Sequence, residues 1–151
     1  MKEIKTIKEG KNFKAISVGA LDDIKDYELP LGPGQVLPGK VFCGQAAGAV
    51  AGEFSFQYLR PGQDSGFLHS HKTHEELYFI LKGQGEYQVD DDIFPVSEGS
   101  VIRVSPSGKR ALKNSGKEAM VMLCVQYKAT AFTAEDSPMQ DGVILPDKLA
   151  W

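Results

Sequence analysis

Short apolar runs with a period of two recur along the whole chain, and a helical period near 3.6 is nowhere sustained. The alternation predicts strands at Phe13–Val18, Lys40–Ala46, Val50–Arg60, Phe67–His71, Glu76–Lys82, Gly85–Val89, Ile93–Val96, Ser100–Val104, Arg110–Asn114 and Ala119–Tyr127. Phe54, Phe56 and Tyr58 alternate with Ser55 and Gln57, which reads as a half-buried strand turning its aromatics into a barrel. Sixteen glycines and eight prolines punctuate these runs, as expected of an all-β chain. Asp90-Asp91-Asp92 reads as a solvated turn, and its adjacent acids lack the alternate spacing of a calcium loop. Asn114-Ser-Gly116-Lys reads as a second turn. The Pro/Gly-rich stretch 29–39 reads as a loop, since no helix or central strand holds that many prolines. It sets off an N-terminal arm (1–49) from a barrel core (about 50–127) and a tail (128–151), in which Thr133-Ala-Glu-Asp reads as a single helical turn.

One domain suffices for 151 residues, a length that buries roughly 70% of the unfolded surface. Twenty acidic against seventeen basic residues argue against a nucleic-acid partner, which needs a basic face. No apolar run approaches the ~20 residues of a membrane span, and the N-terminus has no signal-peptide core, so the expectation is a cytoplasmic protein. Cys43 and Cys124 lie far apart in apolar segments; two buried reduced thiols are expected there rather than a disulfide.

The chemistry concentrates in eight residues. His69, His71 and His74, the only histidines in the chain, stand with Glu75 and Glu76 just ahead of an alternating strand. Imidazoles with a carboxylate suit a divalent transition metal such as Zn, Mn, Fe or Ni. On an extended segment His69 and His71 leave the same face, and Glu76 shares its face with Tyr78 and Ile80. Side by side, the two segments would converge His69, His71 and Glu76 on one point. His74 falls in the intervening turn and is the reserve ligand should Glu76 not reach; Glu75 alternates away and should be solvated. Phe54, Phe56, Tyr58, Phe67, Tyr78 and Ile80 are the candidate lining of a small-molecule pocket, with plain barrel core as the alternative role. Arg103 and Arg110 are candidates for gripping a carboxylate substrate.

His69-Ser-His71, Glu76 and Gly83, in that spacing, resemble the first motif of the cupins, which are double-stranded β-helix (jelly-roll) barrels with a metal at the centre. Gly99, Pro106-Ser-Gly108 and Asn114 resemble the second motif, and the similarity runs over residues 50–127. The resemblance implies a cupin barrel with His69, His71 and Glu76 as metal ligands. The family's fourth ligand, a histidine, would fall at Ala111 counted from Gly108 or at Arg110 counted from Asn114. The chain is most similar to small single-domain bacterial cupins, which implies a homodimer. Two function classes stay open. One is a metal-dependent enzyme of oxygenase, isomerase or hydratase type, using the coordination positions left free. The other is a barrel that binds or senses a small ligand, its metal motif structural or empty. Fold alone does not choose between them.

Overall fold

The computed structural model describes residues 2–146 and 149. A hairpin of β1 (Lys5–Gly10) and β2 (Phe13–Ser17) opens the chain, followed by a 3₁₀ turn over Leu21–Asp26. A second ribbon pairs β3 (Glu28–Gly32) with β4 (Gln35–Pro38). The barrel then runs through β5 (Lys40–Phe42), the short helix α1 (Gly44–Ala47), β6 (Gly52–Leu59), β7 (His74–Lys82) and β8 (Gln84–Val89). It closes with β9 (Asp92–Ser97), β10 (Val101–Val104), β11 (Arg110–Lys113) and β12 (Met120–Lys128). A 3₁₀ turn at Ala134–Asp136 and the helix α2 (Pro138–Asp141) follow.

The strands of the barrel form two sheets. The larger has the order β10-β7-β12-β6-β5, and the smaller β11-β8-β9. Between them lies a core that includes Leu59, Tyr78, Ile80, Tyr87, Val104, Leu112, Met120 and Met122. The β7–β8 turn is tight because Gly83 has φ +82°, and a side chain there would collide with the Ala119 carbonyl. Asn114, fully buried, donates to the carbonyls of Leu59 and Glu118 and accepts from the Gly116 amide, which fixes the turn entering β12. Asp90 accepts from the Lys109 amide at 2.9 Å, so the acidic turn, exposed as expected, also ties β8 to the loop ahead of β11.

A second core covers the other face of the larger sheet. Ile24, Tyr27, Val41 and Cys43 are buried there, with Ile4, Ile16, Val18, Phe54, Phe56 and Tyr58 packed against them. Tyr27 anchors the arm by donating to the carbonyls of Glu3 and Val18. The aromatic row of β6 therefore faces the N-terminal arm and not the barrel interior; Ser55, Gln57 and Leu59 point inward instead. The alternation on β6 is as expected, but its parity is reversed, because the arm supplies the apolar cover that those rings need.

Three further expectations need correction. The 29–39 stretch is a ribbon, with Leu29 opposite Leu37; it pairs only with itself, so its prolines interrupt no central ladder. Residues 43–47 turn into α1 instead of continuing β5. Phe67–His71 is not a continuous strand. It is a link joined to β11 by one isolated bridge, His69 to Arg110, with a second, Asp64 to Lys113, just ahead of it. Cys43 lies in the outer core and Cys124 in the inner one; both are unbonded, with burial pushing their thiols up to about 11 and about 12. Among the described residues, no helix is long and apolar enough to cross a membrane.

Candidate metal centre

The link and β7 bring His69, His71 and Glu76 together, as their spacing predicts. One ligand atom from each lies within 4.8 Å of the others. His69 is held by its paired backbone bonds with Arg110, and His71 by its amide donating to the Pro106 carbonyl at 2.8 Å. Glu76 projects inward from β7 and is 5% exposed. Its Oε1 stands 3.1 Å from His71 Nε2, and its Oε2 stands 3.8 Å from His69 Nε2. Ligands bound at ~2.1 Å to one ion lie about 3.0–3.4 Å apart for octahedral or tetrahedral geometry, so the group needs only small adjustment.

Three other side chains converge on the Glu76 carboxylate, and a fourth meets the His71 ring. Tyr78 donates its hydroxyl to Oε2 at 2.5 Å, and Cys124 its thiol to Oε1 at 3.5 Å. Arg110 Nε lies 3.2 Å from Oε2, and Gln126, opposite Glu76 in register, places its amide nitrogen 3.3 Å from the His71 ring. Burial pushes the Glu76 carboxyl up, yet Tyr78, His71, Arg110 and Cys124 outweigh it and hold the group below its ordinary range. Burial also lowers His69, reinforced by Arg110 and His71 and opposed by Glu76. A neutral imidazole beside an ionised carboxylate is the protonation state that a divalent ion requires.

Arg110 settles the register of the second motif. Arg110 and Leu112 are buried on the inner face, and Ala111 alternates away from it. Arginine offers no lone pair, so this position adds a cation and no ligand. The guanidinium is further held by the Gly108 carbonyl at 2.8 Å, with those of His69, Pro106 and Ser105 at 3.4–3.5 Å. It is a fixed part of the wall. The residues present thus fit a three-ligand metal group with a permanent positive neighbour.

Other sequence candidates fall elsewhere. His74 begins β7, its ring centre 6.3 Å from that of His71, and takes no part in the group. Glu75, expected in solvent, is ion-paired with Arg103 and accepts from Tyr127 at 2.5 Å on the outer face. Arg103 is thereby engaged away from the barrel interior. Tyr78 and Phe67 do line the cavity beside the group, about 330 Å³ in volume, while Ile80 lies deeper in the core. Phe54, Phe56 and Tyr58 lie behind the wall of that cavity. Sequence reasoning missed Lys40, Ser55, Gln57, Cys124 and Gln126, all of which line it. Inverting the parity of β6 would have exposed Ser55 and Gln57 as inward polar positions, a frequent mark of a binding cavity.

Residues 55–126 match the sequence model of the Cupin_2 family, described as the cupin domain. The barrel is a cupin domain. A cupin protein of Bacteroides fragilis superposes with a TM-score of 0.72 at 28% identity, covering 90% of this chain and 99% of that one. An uncharacterised protein of Methanocaldococcus jannaschii is 37% identical over 60 residues, 40% of this chain; the match spans about half of that relative (48%). An oxalate-binding protein of Thermotoga maritima is 28% identical over 94 residues, 62% of this chain and 77% of that protein. The first of these extends the likeness beyond the cupin barrel into the N-terminal arm.

Proposed function

We propose that this cupin binds a divalent transition metal (Zn, Mn, Fe or Ni) through His69, His71 and Glu76 and presents it to a small molecule in the adjoining cavity. The convergence of two imidazoles and a buried carboxylate carries this reading. A bound ion would supply Lewis acidity toward an oxygen of the ligand. The chain's own residues set the stage for it: Tyr78 orients Glu76, Gln126 fixes the His71 ring, and the core of Met122 and Leu112 keeps water from the inner wall. A second reading is a barrel that binds a small ligand without turnover. Arg110 favours it, because Glu76 already has a counter-cation before any metal arrives; the relative named as oxalate-binding accords with it.

Elemental analysis of protein purified without affinity tag or chelator tests the metal. His69→Ala or His71→Ala should remove the bound metal, whereas His74→Ala should retain it near the wild-type level. Loss in His74→Ala alone would overturn the assignment. Turnover of candidate substrates by the loaded protein then separates the two readings.

A further inference from the structure

The cavity wall holds one cation that the metal group does not use. Lys40 sits on β5, the edge of the larger sheet, opposite Gln57. Its Nζ reaches the Gln57 side-chain oxygen at 3.4 Å and stands 5.3 Å from the centre of the Phe42 ring. Among the described residues no carboxylate pairs with it. Burial holds its amine below the usual lysine range, offset in part by Cys124, Glu76 and Cys43.

The other charged side chains around the cavity are already committed. Arg110 faces Glu76, and Glu53 accepts the amides of Gly44 and Phe54. Lys40 and Arg110 against Glu53 and Glu76 leave the lining electrically balanced, and a divalent ion would shift that balance by two positive charges. Surplus positive charge behind apolar walls favours an anion. The walls beside Lys40 are apolar: Leu29 and Leu37 face each other across the β3–β4 ribbon, and Met122 lies opposite Gln57 on the neighbouring strand.

We propose that the cavity takes a small aliphatic carboxylate, its anionic head held by Lys40 and its chain lying against Leu29, Leu37 and Met122. This rests on the reading of the cavity as a small-molecule site; without metal the unpaired Lys40 is what holds the head group, and a bound ion would add to its attraction. An ammonium freed from a single long amide contact gains a hydrogen bond in which both partners are charged, where a neutral head group offers only a dipole.

The experiment is calorimetric titration of hexanoate and hexanamide into the full chain, as wild type, K40M and K40R, first with chelator and then with Zn(II). Hexanoate should bind wild type about tenfold more tightly than the amide, K40M should erase that preference, and K40R should keep most of it. Zn(II) affinity should not fall in K40M, since Lys40 is no ligand. Equal binding of acid and amide by wild type, absence of hexanoate binding, or a preference that survives in K40M each overturns the proposal. The comparison of acid with amide in wild type stands even if K40M does not fold. If Zn(II) fails to bind while the Lys40-dependent preference persists, the metal reading falls and this one stands; if Zn(II) binds and K40M behaves as wild type, the outcome is the reverse.

Discussion

Arg110→Met removes the one arginine cation facing Glu76 while keeping an unbranched side chain in the wall. Arg110 is 1% exposed and Glu76 5%, so neither charge can turn to water in place. Removing one partner of such a pair costs about 3–5 kcal/mol, because the other is left buried and uncompensated. Tyr78 at 2.5 Å and His71 at 3.1 Å still hold the carboxylate, which places the expected loss near the lower end, about 3 kcal/mol. The same change should improve metal binding. In the wild type an incoming ion meets a fixed positive charge and a carboxylate already attracted to it at 3.2 Å. Relief of both should tighten Zn(II) at least about tenfold, or ~1.4 kcal/mol. Urea unfolding in chelator and in excess Zn(II) reads both effects: the variant should be the less stable in chelator and gain more from zinc. Arg110→His should tighten zinc further by placing an imidazole at the inward register, and Ala111→His should not. If Arg110→Met in chelator lies within about 1 kcal/mol of wild type, or gains no zinc affinity, the guanidinium is not the counter-cation of Glu76.

Phe56→Ala should cost about 2–4 kcal/mol by opening a hole beneath Ile24, Tyr27 and Val41, yet leave Zn(II) and hexanoate affinities unchanged; a change in either affinity would show that the outer row reaches the cavity. The Glu75 carboxyl is held below the ordinary carboxylate range by Arg103 first and Tyr127 next. Its contribution to stability is therefore present above the unfolded value near 4.5 and lost as pH falls through the lower folded value. The stability gap between wild type and Glu75→Gln, measured by urea unfolding, should be open at pH 6 and close below 4.5; a gap that widens in acid would refute the sign.

The candidate metal group was legible because its information is local. His69, His71 and Glu76 lie within eight residues, and strand geometry alone puts the two histidines on one face. The strands β7 to β12 were legible for the same reason, each bounded by its own turn residues. The parity of β6 was not. A period of two says that Phe54, Phe56 and Tyr58 share a side, and nothing about which side; that depends on Ile24 and Tyr27, some thirty residues away, folding onto it. Lys40 was hidden in the same way, since its place on the cavity wall follows from the β5–β6 pairing. Arg110 was ambiguous because a motif read from its glycine and from its asparagine gives two registers, and only burial separates them. The β3–β4 ribbon escaped notice because Pro30 and Pro38 argue against a ladder, which they satisfy only in a pair with no further neighbour.

The position of β12 bears on when the molecule can assemble. It is the last strand to leave the ribosome among those of the barrel, yet it lies between β7 and β6 and pairs along its length with both. Until residues 120–128 exist, β6 pairs only with β5, and β7 lacks the strand that joins it to β6. The outer core draws all its members from residues 4–58, whereas the inner core needs Met120 and Met122 of β12. Closure of the barrel is consequently a late step that joins strands distant in sequence, and contacts of that range slow folding more than any local element does.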